Sequence, residues 1–541
     1  MSTYTKKFFF NVKRMLNFLK IFVRKKRAII GIAIILFFVM MALFASALTP
    51  YSPTNDVNLA GQLARPAWLR NFPGYSDLNE NMDPIVNPGF NKPNSIRDWE
   101  FTTSAVTNVF IRYSSTIGNP GGSGPGSVAL TFRREAMGTT YGDIEVNVTK
   151  EFDFSSTGPP FKFSGDISLL VEGSSTKTSA GRALLDVPLK IDVFIRTGNE
   201  TFYLWPQPKS PENPKAITEK GEIIMPTATW ISSKSSPESP ISSIDSNYDA
   251  LKIKMYNATG VVLDPAKTVF NQTRGLPAKY EYGIVITFED SKQPDSRVET
   301  TVYIDDFNFK TFGNAFGLLG TDQMGRDIFS QLVYGSRLSL YIGLLSTIIG
   351  VGLGLTVGLA AGYLGKVADE ALMRFTDMLL TIPGLPLLIV LVSVLGPGLT
   401  NMVLILGFLG WMSFARLVRS QVLTLRERPF VEAAKAIGAG RTHIIIRHIL
   451  PNVMSLVWIT LATSVPGNIM AEAALSWLGF FDPNVMSWGR MLHDVQSTSG
   501  AIANWWWVLP PGFSIAAIAV AFILVGFALD EVLNPKLRRR A

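Results

Sequence analysis

Two hydrophobic patterns partition the chain. Residues 28–48 form a run of 21 uncharged, mostly apolar positions. A helix of that length reaches about 31 Å, enough to cross a hydrocarbon core of about 30 Å. The run is long for a signal peptide and no convincing cleavage site follows it, so it reads as a retained anchor. Runs at 339–363, 378–395, 402–418, 453–470 and 508–529 predict five more transmembrane helices. Several hold Gly or Pro, which membrane helices tolerate. Between the first and second runs the period changes to two: Ile144, Val146 and Val148 alternate with Glu145, Asn147 and Thr149, and Ile191, Val193 and Ile195 with Lys190, Asp192 and Arg196. Residues 284–288 and 302–304 repeat the pattern, and loops rich in Gly, Ser and Pro at 118–127 and 232–243 separate the strands. This stretch predicts a mainly β domain, a sandwich, large enough to bury its own core.

Composition agrees with a membrane protein, since only 17% of the 541 residues are charged against about 25% in soluble domains. The net charge of +8 would suit a nucleic-acid binder, but its distribution decides otherwise. Nine Lys and Arg precede residue 28; with those in 364–374, 416–447 and the tail after 529 they make 22, while the short loops 396–401 and 471–507 hold one, Arg490. That bias predicts six spans with both termini cytoplasmic. Trp505, Trp506 and Trp507 then belong to the outer interface. Residues 49–337 carry a net −5, so the surplus positive charge is confined to the membrane part. All four N-x-[ST] sequons, at Asn147, Asn199, Asn257 and Asn271, fall in the exported stretch. There is no cysteine, only three histidines and no Walker A loop. Disulfides, thiolate metal sites, Cys nucleophiles and a P-loop nucleotide site are therefore excluded.

The segment PFVEAAKAIGAGRTHIIIRHILPN (429–452) lies in a cytoplasmic loop, 419–448, between the fourth and fifth spans. Pro429 suits a first helical turn, Glu432 places negative charge near the positive helix start, and Gly438-Ala439-Gly440 ends the helix. Ala433, Ala434 and Ala436 keep it slim enough for another backbone to approach. A second helix over 441–450 leads through Pro451 into the fifth span. Glu432-Ala433-Ala434, Gly438 and Leu450-Pro451 at this spacing resemble the EAA loop of ABC importer permeases. His448 departs from the general pattern but is familiar in the dipeptide/oligopeptide/nickel branch, whose second (C-type) permease also has segments similar to 317–340, 373–389 and 474–492. The likeness covers 1–48 loosely and 317–541 throughout; it does not cover 50–310.

The resemblance implies a polytopic α-helical membrane protein of the type I ABC importer permease fold, with six transmembrane helices. A large extracellular β domain (49–320) is inserted between the first two, followed by an amphipathic segment (321–338), the core 339–529 and a tail 530–541. It implies a non-catalytic subunit in a prokaryotic cell membrane, forming half of a path for peptides. Its partners would be a homologous second permease, two ATPase subunits that bind the ATP and Mg, and an extracellular solute-binding protein. Glu432, Ala433, Ala434, Gly438 and Ala439 would form the helix that seats in the ATPase. Glu432 alone reads as a helix-terminus carboxylate; the whole loop favours the coupling role. Oligosaccharide or nickel cargo is the alternative within this architecture. An ion-coupled secondary transporter and an anchored receptor are the alternatives outside it, and the scarcity of ionisable residues within the spans argues against the former.

Three further features invite a role. Gly350, Gly354, Gly358 and Gly362 repeat every four residues on one face of the second span, a seam for close helix approach. Static packing is the plainer reading, sliding during transport the functional one. Asp377, one turn from Arg374, is a candidate for the translocation path, with an interfacial ion pair as the simpler account. Pro383 and Pro386 should disturb the third span where such a path narrows.

Overall fold

A computed structural model describes residue 22 and residues 24–533, except 105–106, 123, 136–141, 178–182, 206–221, 224–229, 234–243, 248, 250, 254, 256–259, 272–277, 290–296 and 500–502. The basic positions before residue 22 and after 533, the sequon at Asn257 and most of the loop 232–243 lie outside the described residues. The chain forms two compact units, Met1–Val57 with Asp322–Ala541, and Asn58–Thr321.

The first unit is helical. Its elements are α1 (Lys26–Leu43), α2 (Ile328–Leu364), α3 (Lys366–Thr381), α4 (Gly384–Leu395), α5 (Leu399–Gly410), α6 (Met412–Arg426), α7 (Pro429–Ala436), α8 (Leu450–Trp477), α9 (Trp488–Gln496) and α10 (Trp505–Leu533). Among the described residues five helices are long and apolar enough to cross a membrane: α1, α2, Leu399–Arg426, Arg441–Trp477 and α10. The pair α3 and α4, bent by 90°, makes a sixth if counted as one span. The third run is therefore not a straight helix. The chain turns at Ile382, which is extended (ψ 129°), and Pro383 follows as the cap of α4. Proline disfavours the helical region for the residue before it, so the break falls there. Pro386 continues α4 undisturbed, in its first turn, where a missing N–H costs nothing.

Pro451 does not separate two helices. Arg441–Ile444 passes into a π-helical turn, Ile445–Ile449, and directly into α8. A wider turn just ahead of a residue that cannot donate is a local way of keeping one helix axis. At the chain's ends, Lys25 Nζ lies 2.5 Å from Glu531 Oε1, and Gly31 lets α1 approach Ala521 of α10. Trp506 and Trp507 are buried inside this unit; Trp505 alone of the three is exposed.

The second unit is built on two antiparallel sheets. One runs in the order Glu100–Thr103, Ile144–Phe154, Ala278–Phe288, Leu189–Thr197, Glu222–Ile223, with Glu200–Trp205 also on Leu189–Thr197. The other runs Ile231–Ser232, Lys162–Gly173, Val298–Phe312, Ser127–Arg134, Val109–Ser114, with Ile244–Asp245 also on Lys162–Gly173. The alternation read from the sequence sets the inner faces: Ile144, Val146, Val148, Ile191, Val193, Ile195, Ile284, Ile286, Val302 and Ile304 are all buried. Aromatic rings join the two sheets, Phe132 to Phe288 at 5.3 Å and Tyr282 to Phe309 at 4.6 Å between centroids. The unit is a sandwich with one shared core.

Candidate functional site

The loop between α6 and α8 presents a short helix with two distinct faces. Pro429 occupies the first turn of α7, where its missing N–H costs nothing, and Glu432 sits in the same turn. Val431 and Ala434, three residues apart, are buried against Phe414, Val418 and Val422 of α6 and against Ile444, Ile449 and Val453. Ala434 is thus an inward packing residue and not part of the slim outer surface expected of it. Glu432, Ala433, Lys435, Ala436 and Gly438 face outward. So do two large apolar residues that sequence reading passed over, Phe430 and Ile437, the latter 85% exposed.

The end of α7 is a Schellman motif. The Gly438 amide donates to the Lys435 carbonyl at 3.0 Å and the Ala439 amide to the Ala434 carbonyl at 3.1 Å. Gly438 takes φ +82°, which L-residues adopt at a cost. A side chain there would meet nothing within 4 Å, so conformation, not crowding, demands the glycine. Ala439 then returns onto the hydrophobic cluster beneath the helix. The motif makes α7 a rigid body fixed to two long helices by its inner face.

The glycine seam of α2 faces Leu399–Arg426. A Cβ at Gly354 would fall 2.7 Å from the Trp411 carbonyl, and one at Gly358 2.6 Å from that of Ala415. Gly350 abuts Gly407 and Gly410, and Gly362 abuts Val422. Asp377 pairs with Arg416 of α6, not with Arg374, whose partner is Glu370 at 2.7 Å. Arg419 binds Asp369 in parallel, so two ion pairs hold α3 to α6. An i,i+3 pair within α3 would leave Arg416 unmatched; the cross-helix pairing gives it a partner while Arg374 keeps Glu370.

Sequence reading also missed a buried ionic cluster. Arg326 is 3% exposed and donates to Asp322 at 2.6 Å and to Asp494 of α9 at 3.0 Å, while Gln331 donates to Asp322 at 2.7 Å. Arg490 donates to the Pro483 and Val485 carbonyls, both at 2.7 Å. Burial pushes the Asp494 carboxyl above its ordinary range, against the pull of Arg326 and Arg490. Burial likewise raises Asp327, the cap of α2, against its hydrogen bonds from Ser330 and Phe329. Asp322, Arg326, Asp327 and Gln331 lie within 317–340 and Arg490 within 474–492, but Asp494 falls two residues past that segment, and nothing in the spacing showed that these groups meet. Among the described residues no three of His, Cys, Asp and Glu are grouped to hold a metal ion.

Comparison with known proteins converges on this helical unit. Residues 354–539 match the family described as "Binding-protein-dependent transport system inner membrane component", and residues 15–66 match "N-terminal TM domain of oligopeptide transport permease C". The dipeptide transport system permease protein DppC of Bacillus subtilis is 38% identical over 223 residues, 41% of this chain and 69% of that protein. The oligopeptide transport system permease protein OppC of the same organism is 37% identical, over 41% of this chain and 72% of its own. The glutathione transport system permease protein GsiD of Pectobacterium atrosepticum is 37% identical, over 41% and 73%.

Proposed function

Because the chain belongs to the inner-membrane components of binding-protein-dependent transport systems, we propose that it forms half of the translocation path of an ATP-driven peptide importer with the type I permease fold. Its partners in this reading are a homologous second permease, two ATPase subunits and an extracellular solute-binding protein. Peptide cargo follows from the names of its relatives, dipeptide and oligopeptide permeases among them. Glutathione, itself a small peptide, is named for another. Six spans, counting α3 with α4 as one, would leave α7 and both termini on the cytoplasmic side of a prokaryotic cell membrane. The ion pair between Lys25 and Glu531, which puts the start of α1 beside the end of α10, supports termini on one side.

The observation that carries the coupling role is the two-faced, Schellman-capped helix α7. Its outer face sets the apolar Phe430, Ala433, Ala436 and Ile437 beside the charged Glu432 and Lys435 and is uncovered, suited to a groove in an ATPase. Its inner face is packed on α6 and on the start of the Arg441–Trp477 helix. A displacement of α7 when two ATPases close on ATP therefore reaches two spans as a rigid movement. The glycine seam passes it to α2, and the Asp369–Arg419 and Asp377–Arg416 pairs pass it to α3. The bent α3–α4 joint at Pro383, with Asp377 below it, is where the path would narrow. This chain supplies contact and motion; ATP and Mg are held by the partners, which perform the hydrolysis.

The test is Ile437→Asp and Glu432→Lys in the assembled transporter. Both side chains are exposed, so the membrane unit should fold normally while ATPase subunits fail to co-purify and binding-protein-stimulated hydrolysis is lost. Full stimulation in both variants would reject α7 as the coupling element. Uptake that continues without any ATPase subunit would favour a secondary transporter instead.

A further inference from the structure

We propose that the β-sandwich unit carries a binding cleft for short zwitterionic peptides, with Arg70 taking the carboxylate end and Glu80 the ammonium end. The cleft has a volume of about 400 Å³ and is lined by residues of this unit, within the range of about 300–1,000 Å³ typical of small-molecule sites. Its floor is apolar, made by the buried Leu78 and Phe154 together with Met82. Arg70, on the short helical turn Ala67–Asn71, and Glu80 also line it and pair with each other at 2.7 Å. A hydroxyl completes the set: Ser156 Oγ is buried at the cleft and has no hydrogen-bond partner among the described residues. A buried polar atom left unpaired carries a cost that a ligand's N–H or C=O removes.

The ligand class follows from this chemistry. Opposite charges over an apolar floor match a molecule with a carboxylate and an ammonium at its two ends and an apolar body between them. The Arg70 and Glu80 side chains are 52% and 47% exposed. A pair so exposed adds little to stability, so each partner can exchange the other for a ligand group. Both are long side chains, able to part by the roughly 7 Å that an extended dipeptide spans. The guanidinium offers a planar fork that a carboxylate accepts through two oxygens. An uncharged sugar would use neither charge. The walls, 78–82 and 154–158, are fixed before a ligand arrives. Asn79 Nδ2 donates to the Gly158 and Pro159 carbonyls at 3.0 and 2.8 Å, and Met82 and Thr311 exchange amide-to-carbonyl hydrogen bonds at 3.1 and 2.9 Å. A Cβ at Gly158 would fall 2.2 Å from the Asp77 carbonyl, so this close approach requires glycine. A cleft already in shape loses less conformational freedom on binding. The choice of a peptide among amphiphilic zwitterions rests on the peptide-importer reading above.

The test is equilibrium dialysis of radiolabelled dileucine against the full-length chain in phosphatidylcholine nanodiscs, without binding protein or ATPase subunits. Saturable retention is expected, weakened about tenfold or more by Arg70→Gln and by Glu80→Gln. Arg133→Gln is the control, since Arg133 forms a similarly exposed pair with Glu299 at 3.0 Å outside the cleft lining. On the unaltered chain, N-acetyl-dileucine amide and the uncharged sugar maltotriose should fail to displace dileucine, an arm that needs no variant to fold. Absence of saturable retention, displacement by either uncharged competitor, or equal retention in Arg70→Gln and Arg133→Gln would overturn the site. Dileucine uptake by the assembled transporter is read separately. Retention without uptake supports the cleft and counts against the importer reading, whereas uptake without retention overturns the cleft alone.

Discussion

Replacing Gly438 with Ala isolates one physical effect at the proposed coupling helix. The residue has φ +82° and open space where a Cβ would stand, so the variant introduces backbone strain without a clash. A left-handed L-residue costs about 1–2 kcal/mol. That strain falls on the two hydrogen bonds that close the helix, from the Gly438 and Ala439 amides. At about 1.4 kcal/mol per tenfold change, the frayed state should rise by about 5- to 30-fold. Hydrogen exchange at Ala439 reads this directly and should accelerate by the same factor. Gly440, two residues on, is the control: its φ is −62° and its Cβ space is equally open. Gly440→Ala should leave exchange unchanged, and Gly438→Asn should fall between the two, since Asn tolerates this conformation better than Ala. If Gly438→Ala and Gly440→Ala behave alike, the Schellman cap does not hold α7, and its rigidity is not the basis of coupling.

Three further perturbations test the packing of the helical unit. Gly358→Leu forces a side chain against the Ala415 carbonyl and Val418, and should cost about 1–3 kcal/mol in detergent unfolding, whereas Gly352→Ala, facing open space, should be neutral. Arg326→Ala leaves Asp322 and Asp494 buried without their cation and should destabilise by about 3–5 kcal/mol, lowering the thermal midpoint of the purified subunit. The raised carboxyl of Asp494 binds its proton more tightly when folded than when unfolded. Its contribution to stability is therefore full below the ordinary carboxylate range and is lost as pH rises through the raised value. Thermal unfolding across about pH 4 to about pH 7 should show that loss, and Asp494→Asn should flatten it.

The parts that were legible in the sequence are those set by period and by punctuation. Alternation at Ile144–Val148 named the inner face of a strand, because a pleat leaves no other choice once one face is buried. The four-residue glycine repeat named a packing face of α2 correctly, but not its partner; only the fold shows that Leu399–Arg426 fills it. Gly438 announced a helix end, since few residues but glycine sit comfortably at positive φ. Pairings across long separations were illegible. Asp377 had a cation one turn away in Arg374, and local spacing favoured it; the structure gives Asp377 to Arg416 and Arg374 to Glu370. Arg326 and Asp494 stand 168 residues apart with no pattern linking them.

Ala434 shows how the two kinds of information combine. Composition marked Ala433, Ala434 and Ala436 as one slim surface, yet a helix carries residues three apart on the same face. Val431 had already committed the face on which Ala434 lies, and both are buried. Slimness at Ala434 therefore serves the approach of α7 to its own α6, while Ala433 and Ala436 remain free for a partner. The alanine run thus divides between holding the helix and presenting it. Enlarging Ala434 to Leu should lift α7 off α6 and lower thermal stability, whereas Ala436→Leu should leave stability unchanged and impair ATPase docking alone. Equal loss of stability in both variants would show that the two faces are not distinct, and the rigid-body transfer from α7 to the spans would fail with them.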